Sequence, residues 1–172
     1  MRCFIAIKFY PGEMIINMME DLKNNFKVKL VERENLHATI KFLGEIDEKM
    51  LDMIIKKMEE IKFSRFSAKL TGMGAFPNER RARVIWIGIK SDEFLQLGNR
   101  INDILKNIGE NNFSPHLTVA RLKESSDVSD FIKNYRNTFF GEYDISSFSL
   151  FKSTLTPAGP IYTELKRFKA EN

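Results

Sequence analysis

The sequence contains few of the residue types that build common covalent or metal sites. Among its 172 residues there are one cysteine (Cys3), one tryptophan and two histidines. A single cysteine excludes an internal disulfide, and no Cys/His cluster has the spacing of zinc ligands. No apolar run approaches the roughly 20 residues that cross a bilayer, and MRCFIAIKFYPGE at the start predicts a strand instead of a signal peptide. We therefore expect a cytoplasmic protein without a structural metal or a membrane segment.

A strong charge of one sign is also lacking. The chain has 27 Lys and Arg against 23 Asp and Glu, which gives a net charge of +4 and a pI near 9.1. This mild excess is compatible with a phosphate-bearing partner, but a solvated surface explains it equally well. The hydrophobic content of 43% indicates a globular chain and not a disordered one. The length suits one domain, or two small lobes that share a core.

The pattern of apolar residues predicts a mixed α+β chain without linkers or low-complexity segments. Alternation and β-branched composition predict strands at 3–9, 36–43, 66–76, 83–89, 116–122, 144–151 and 161–168. Helical spacing predicts helices at 13–26, 93–108, 127–135 and from Asp47 to about residue 61.

Landmarks of the two halves recur at a nearly constant offset. His116 follows His37 by 79 positions (116 − 37), and the candidate helix caps Asp47 and Ser126 are also 79 apart. The strands that begin at residues 65 and 144 differ by 79, and those around residues 7 and 87 differ by 80. We expect residues 1–172 to form a single domain of two intertwined, pseudo-symmetric lobes about a twofold axis. A coincidental α+β alternation is the alternative.

Both histidines stand two residues before a threonine. NLHATIKFLGE (35–45) contains His37 and Thr39, and FSPHLTVARL (113–122) contains His116 and Thr118. Side chains at i and i+2 of a strand project from the same face, so each imidazole lies beside a hydroxyl. A lone histidine on a strand is more often a packing or surface residue. Here every histidine has the same partner and an equivalent position in the repeat, which favours a functional pair directed into one groove.

Two imidazoles and two hydroxyls are suited to phosphodiester chemistry without a metal. With an ordinary pKa near 6.5, histidine serves as base or as acid at neutral pH. In the hydrolysis of a cyclic phosphate, one imidazole takes a proton from water and the other protonates the departing sugar oxygen. The hydroxyls donate hydrogen bonds to the non-bridging oxygens, where negative charge must be stabilised. The symmetry of the motif leaves open which histidine is the acid.

At this point the chain resembles a known family, the 2′-5′ RNA ligase-like group of the two-histidine (2H) phosphoesterases, specifically the RNA 2′,3′-cyclic phosphodiesterases. The resemblance rests on the paired HxTx motifs and on surrounding blocks that occur in order: RCFIAIKF (2–9), ENLHATIKFLGEI (34–46), GMGAFP (72–77), RVIWIGI (83–89), FSPHLTVARL (113–122) and LFKSTLTPAGPIYTEL (150–165). It implies a bilobal α+β fold in which antiparallel sheets line a central cleft and helices lie outside. It also implies hydrolysis of RNA 2′,3′-cyclic phosphate ends to 2′-phosphomonoesters without a cofactor, and a weak, reversible 2′-5′ joining of tRNA halves.

The same resemblance assigns a role to each residue of the two motifs. His37 would be the proton donor to the leaving 3′ oxygen, and His116 would be the proton acceptor that activates water. Thr39 and Thr118 would bind the phosphate oxygens. In the reverse, ring-closing reaction the histidines exchange roles.

Two cations after the motifs are further candidates for binding substrate. Lys41 shares strand parity with His37, so we expect its charge at the edge of the cleft. Arg121 has the opposite parity from His116, and it reaches the cleft only if the strand bends or bulges there.

Other RNA contacts are suggested by one basic turn and by aromatic residues. The turn ERRAR (79–83) could touch backbone phosphates, although a solvated loop is the more common explanation. Trp86 lies in an apolar strand and is interpreted as packing. Three aromatic residues are candidates for stacking on a base: Phe9, Phe76 and Tyr162.

Two other functions fit the same residues. The site could act on 2′-5′-linked oligoadenylates or on a small cyclic phosphate such as ADP-ribose cyclic phosphate. The chain could also be an RNA-end-binding protein or ligase subunit whose turnover is incidental. No GxxxxGK[ST] loop is present, so ATP-driven ligation is not expected. The main expectation is a monomer that acts on RNA with 2′,3′-cyclic phosphate termini, such as tRNA halves.

Overall fold

The computed structural model describes residues 1–172 and contains nine strands and four α-helices. The strands are β1 (Arg2–Lys8), β2 (Val28–Leu30), β3 (His37–Glu45), β4 (Phe66–Phe76), β5 (Ala82–Lys90), β6 (His116–Ser126), β7 (Phe139–Ile145), β8 (Ser147–Thr156) and β9 (Gly159–Lys169). The helices are α1 (Glu13–Asn25), α2 (Glu48–Glu59), α3 (Asp92–Ile104) and α4 (Ser129–Tyr135). Short 3₁₀ turns at Arg33–Asn35 and Glu79–Arg81 precede β3 and β5.

The strands form two antiparallel sheets. The first sheet has the order β3-β1-β8-β9 and the second has the order β2-β6-β5-β4-β7. Each sheet takes strands from both halves of the chain, because β4 joins the second sheet while β8 and β9 join the first. The two histidine-bearing strands occupy matching places, with β3 beside β1 and β6 beside β5. The predicted α+β class with antiparallel sheets is confirmed.

One continuous hydrophobic core lies between the sheets and the helices. Helix α1 contacts β2 and β7, α2 contacts β9, α3 contacts β3 and β4, and α4 contacts β4. The apolar stripe of α1 supplies Ile15, Met18 and Leu22 to this core, as its helical spacing predicts. None of the four helices combines the length and the apolar character that crossing a membrane requires.

The two predicted helix caps have different outcomes. Asp47 does cap α2, since its carboxylate accepts a hydrogen bond from the backbone N–H of Met50 at 2.8 Å. Ser126 is not a cap: it is the last residue of β6, and Val128 occupies the cap position of α4. Asp127 instead accepts hydrogen bonds from Ser129, which ends the strand in a local turn.

Other boundaries differ where tertiary pairing decides them. The predicted strand at 144–151 is two strands that part at Ser146, and β7 begins at Phe139, before any predicted strand. Gly141, with φ of 135°, lies within β7 and breaks the apolar alternation that would have marked it. Helix α3 ends at Ile104, four positions before the predicted end.

Candidate active site

The first residues of β3 and β6 carry the two histidine-threonine pairs. His37 and Thr39 are partly buried, while Ala38 and Ile40 alternate with them into the core. His116 and Thr118 repeat this burial pattern in β6. The i, i+2 spacing therefore places each imidazole beside a hydroxyl on one face of its strand, as the alternation of a strand requires.

Each imidazole is anchored by the backbone two residues before it. The Nδ1 atom of His37 lies 2.6 Å from the carbonyl oxygen of Asn35, and the Nδ1 atom of His116 lies 2.6 Å from that of Ser114. A carbonyl oxygen only accepts hydrogen bonds, so Nδ1 donates in both rings. The reactive nitrogen is then Nε2, which accepts a proton in the neutral ring and donates one in the imidazolium.

The pKa of His37 responds to the charge of the other imidazole. Burial lowers the pKa of His37 below its ordinary 6.5, and positive charge on His116 and on Arg121 lowers it further. Burial also lowers the pKa of His116. In each case the hydrogen bond to the carbonyl acts in the opposite direction, without reversing the shift. The free protein therefore holds both imidazoles mainly neutral at pH 7.

A β-bulge follows the threonine in both strands. In β3 the pairing with β1 skips Ile40, and in β6 the pairing with β5 skips Val119. The extra residue reverses the side-chain parity beyond it, so residues four positions after each histidine no longer share its face. The carbonyls that the bulges leave outside the ladder are both satisfied: Asn102 donates to that of Ile40, and the N–H of Val31 donates to that of Val119.

The bulge in β6 turns Arg121 toward the site. Arg121 is exposed, and its positive charge lowers the pKa of His37. The same charge opposes the rise that burial produces in the pKa of Tyr162. Both effects agree with the parity that the bulge reverses, and a role for Arg121 in binding substrate stays a prediction.

The matching bulge in β3 has the opposite effect on Lys41, and the prediction that this lysine lies at the cleft edge is wrong. Lys41 is only 2% exposed. Its ammonium group donates to the carbonyl of Glu110 and to the side chain of Asn111, both at 2.8 Å. Phe42, which is 45% exposed, takes the position equivalent to Arg121. Counting alternate positions from His37 could not predict the burial of Lys41, because a bulge depends on pairing with the partner strand.

Aromatic rings surround His37 on the first sheet. The ring centroid of Phe4 lies 5.0 Å from that of His37, and Tyr162 meets the imidazole edge-on at 5.2 Å. Phe42 extends the group, with its ring 6.2 Å from that of Phe4. Of the predicted stacking residues, Tyr162 therefore lies at the site, whereas Phe9 is in the core at 2% exposure. Sequence reasoning missed Phe4, whose neighbours in β1 are equally apolar.

A second aromatic group surrounds His116 on the second sheet. Phe76 is 40% exposed and meets the imidazole edge-on at 5.3 Å, so this candidate also lies at the site. Trp86 pairs with Thr118 across the ladder, and its ring is 6.2 Å from that of His116. Trp86 packs on Gly74 and Phe76, as its interpretation as a packing residue requires. It also shares the face of Thr118 at the site, because directly opposed residues of an antiparallel pair share a face. Only the register, which the sequence does not contain, shows this.

The assembled site contains imidazoles, hydroxyls, a guanidinium group and aromatic rings. No three His, Cys, Asp or Glu side chains lie together in an arrangement that could hold a metal ion. The imidazoles can transfer protons, and the hydroxyls and the cation can stabilise negative charge. Aromatic faces next to such groups suit a nucleotide.

Comparison with known families identifies the arrangement. The model of the family described as LigT-like phosphoesterase matches the chain twice, at residues 11–86 and 87–162. The first span contains the His37 motif and the second contains the His116 motif.

The chain belongs to the LigT-like phosphoesterase family.

Curated and solved relatives of this LigT-like phosphoesterase cover almost its entire length. It is 39% identical to the RNA 2′,3′-cyclic phosphodiesterase of Archaeoglobus fulgidus, with 98% of this chain and 100% of the relative aligned. The enzyme of the same name from Methanocaldococcus jannaschii is 38% identical, again over 98% and 100%. The crystal structure of TT0787 of Thermus thermophilus superposes with a TM-score of 0.80 at 29% identity and covers 100% of both chains. Apo LigT of Escherichia coli gives 0.78 at 25% identity over 99% of this chain and 98% of that one. The resemblance that the motifs indicated is confirmed.

Proposed function

We propose that this LigT-like phosphoesterase hydrolyses the 2′,3′-cyclic phosphate ends of RNA to 2′-phosphomonoesters. The observation that carries the proposal is the pair of histidine-threonine strands, whose imidazoles are anchored alike; the charge of His116 lowers the pKa of His37. The names of relatives that align over the whole chain support RNA as the substrate.

In the proposed reaction, water attacks phosphorus opposite the 3′ oxygen. The Nε2 atom of His116 accepts a proton from the water as the new P–O bond forms. The Nε2–H of His37 donates its proton to the 3′ oxygen as the P–O3′ bond breaks. The product carries the phosphate on the 2′ oxygen and a free 3′ hydroxyl. This assignment of acid and base follows the family, because the anchors of the two rings are equivalent.

The remaining groups stabilise the phosphate while the proton transfers occur. The hydroxyls of Thr39 and Thr118 donate hydrogen bonds to the two non-bridging oxygens, which carry increased negative charge in the transition state. Arg121 adds a delocalised cation that is suited to phosphate oxygens. Each threonine projects from the same strand face as its histidine, so the donors and the proton-transfer groups are held in one rigid unit.

The same groups would catalyse transfer to a nucleoside if a 5′ hydroxyl replaced the attacking water. That reaction would join two RNA ends, such as tRNA halves, through a 2′-5′ linkage. The joining reaction would be weak, because water competes with the 5′ hydroxyl for the same position. The 2′-5′ linkage is also no more stable than the cyclic phosphate and the 5′ hydroxyl to which it reverts. The monomeric state and the cytoplasmic location stay predictions from the sequence.

Product analysis tests the proposed function. The protein is incubated with EDTA and an oligonucleotide that ends in a 2′,3′-cyclic phosphate, and the product is identified. We expect a 2′-phosphate, and a loss of about 10²- to 10⁴-fold in kcat for His37→Ala and for His116→Ala. Thr39→Val should also lower kcat, whereas Thr39→Ser, which keeps the hydroxyl, serves as the matched control.

Three results would contradict the proposal. Absence of turnover by the wild-type protein would show that it does not hydrolyse cyclic phosphate ends. A 3′-phosphate product would show that the 2′ oxygen leaves instead of the 3′ oxygen, and the acid and base roles of the histidines would then be exchanged. Full activity in both histidine variants, with circular dichroism showing an intact fold, would place the chemistry elsewhere.

A further inference from the structure

A cavity of about 540 Å³ adjoins His116 along the second sheet and takes no part in the reaction described above. We call it the Trp86 cavity. The residues that the argument uses line its floor or its rim: Gly74, Trp86, Asn78, Glu79, Arg80 and Arg136. Its volume falls within the range of small-molecule sites, about 300–1,000 Å³.

The floor of the Trp86 cavity is an aromatic surface that a glycine makes possible. A Cβ atom on Gly74 would lie only 2.3 Å from the indole carbon Cζ2 of Trp86, so the ring rests directly on the backbone of β4. The Nε1 atom of Trp86 is buried without a hydrogen-bond partner. The indole therefore serves here as a flat platform beside the ring of His116, 6.2 Å away, and of Phe76, 5.4 Å away. Such platforms accept nucleobases of any type.

The rim of the cavity is cationic. It is formed by the basic turn at 79–81, where the side-chain oxygen of Asn78 accepts hydrogen bonds from the N–H groups of Arg80 and Arg81, both at 3.0 Å. This contact uses the oxygen of Asn78 and leaves its NH₂ group available to a ligand. Arg80 is exposed and forms no ion pair.

One carboxylate is also present at the rim, but its charge is balanced. Glu79 accepts two hydrogen bonds from the Nη2 atom of Arg136, at 2.6 and 2.9 Å. The pair holds the end of α4 against the turn. Arg80 has no ion pair, although its charge helps to lower the pKa of the Asp127 carboxyl. An aromatic floor with a single free cation at its edge matches a nucleotide, which has a base and a phosphate.

We propose that the Trp86 cavity binds a second nucleotide of the RNA substrate, with its base against Trp86 and its phosphate on Arg80. The inference rests on the proposed function, which places the cyclic phosphate between the two histidines. The second nucleotide has two possible sources. It is either the residue upstream in the strand that carries the cyclic phosphate, or the nucleotide on the far side of phosphorus in a 2′-5′ linkage, which carries a phosphate of its own on its 3′ oxygen.

Kinetics with three substrates test the proposal. They are a 2′,3′-cyclic mononucleotide, a dinucleotide that ends in a 2′,3′-cyclic phosphate, and a 2′-5′-linked dinucleotide with a further phosphate on its terminal 3′ oxygen. For Arg80→Ala we expect the ratio of kcat/KM for one dinucleotide over the mononucleotide to fall about 5- to 10-fold. A fall with the first dinucleotide identifies the upstream nucleotide, and a fall with the second identifies the nucleotide across phosphorus.

Arg83→Ala is the matched control, because Arg83 is an exposed cation of the same segment that does not line the cavity. It should leave both ratios at their wild-type values. Unchanged ratios in Arg80→Ala, or an equal fall in both arginine variants, would overturn the proposal while leaving the proposed function intact.

A binding measurement separates this inference from catalysis. Trp86 is the only tryptophan, so tryptophan emission reports on the cavity and on the adjoining ring of His116, and the Arg80 variant separates the two. An ordinary 3′-5′ dinucleotide without a cyclic phosphate should quench this emission, and Arg80→Ala should raise its Kd by the same 5- to 10-fold, about 1 kcal/mol. If the wild type does not hydrolyse the cyclic mononucleotide, the proposed function fails and this titration still tests the cavity. Equal Kd values in wild type and Arg80→Ala would overturn it.

Discussion

Each histidine of the site is held by a carbonyl group two residues before it in the chain, and this single contact determines which ring nitrogen can react. The distance is 2.6 Å for both rings, although the preceding residues differ: Asn35 in one strand and Ser114 in the other. Because the acceptor belongs to the backbone, the anchor does not depend on the identity of the side chain that precedes the histidine. Burial then lowers the pKa of both rings.

The lowered pKa values predict an acidic optimum for the free enzyme. The productive form carries one proton on the two imidazoles together. Since both pKa values lie below 6.5, this form is most populated below pH 6.5 and is lost as the pH rises and the remaining proton leaves. We expect a bell-shaped dependence of kcat/KM with its maximum on the acidic side of pH 6.5.

The phosphate of a bound substrate is an anion and raises both pKa values, so the maximum of kcat should lie at higher pH than that of kcat/KM. Steady-state kinetics on a cyclic mononucleotide across the acidic and neutral range would measure both. A kcat/KM maximum clearly above pH 6.5 would mean that burial does not control these groups.

The residues nearest the histidines show what the sequence could and could not predict. Strand alternation, which is a local property, places His37 on the same face as Thr39 and His116 on the same face as Thr118. Beyond the threonine, the bulge reverses the faces, and so Lys41 was placed wrongly while Arg121 could only be stated conditionally. A bulge is set by pairing with another strand, and a single sequence does not contain that register.

At the scale of elements, the segment between α3 and β6 is fixed onto β3. The N–H of Glu110 donates to the carbonyl of Phe42 at 3.0 Å, and Lys41 binds the carbonyl of Glu110 in return. Gly109 has φ of 67°, and a Cβ atom there would clash with the carbonyl oxygen of Phe42. These contacts join the loop that leads into the second histidine strand to the first histidine strand.

This docking predicts a structural role for Lys41. Lys41→Met keeps most of the side-chain volume but leaves the carbonyl of Glu110 and the side-chain oxygen of Asn111 without their donor. We expect the free energy of unfolding to fall by about 1–3 kcal/mol, because the charged donor of two hydrogen bonds is lost, although both acceptors belong to exposed residues. KM for the cyclic mononucleotide should not change, because Lys41 is out of reach of a ligand.

Urea unfolding and steady-state kinetics measure the two quantities, and Lys57→Met in the exposed face of α2 is the control that should affect neither. A raised KM with an unchanged free energy of unfolding in Lys41→Met would instead show that Lys41 binds substrate.

Elements with a local signal were predicted well, and those without one were missed. Asp47 caps α2 because its side chain needs only the next turn of the same helix. Strand β7 has no such signal, because Gly141 interrupts the alternation of its apolar residues. It exists because β4 offers it an edge for pairing.

At the scale of the whole molecule, the two halves of the chain exchange strands. The first sheet needs β8 and β9 from the second half, and the second sheet needs β4 from the first half. A duplication with two pseudo-symmetric lobes stays a prediction from the constant offset. The exchange itself makes each sheet dependent on the complete chain.

This exchange predicts that neither half folds alone. Residues 1–86 would lose half of the first sheet, and residues 87–172 would lose β2, β4 and all but the last four residues of β5 from the second. We expect both fragments to lack the native circular dichroism spectrum, and the full chain to unfold in one transition with coincident curves from tryptophan fluorescence and circular dichroism. Two separate transitions, or a folded fragment, would show that the lobes are independent domains.

The equivalent anchoring of the two imidazoles also has a kinetic consequence for successive turnovers. In the proposed reaction the protein begins each cycle with a proton on His37 and ends it with a proton on His116. The enzyme that releases product is thus an isomer of the one that bound substrate, and the excess proton must return by exchange with solvent before the next cycle. Small buffer acids able to enter the open cleft would speed this recovery step, so turnover at saturating substrate would depend on buffer concentration as well as on pH.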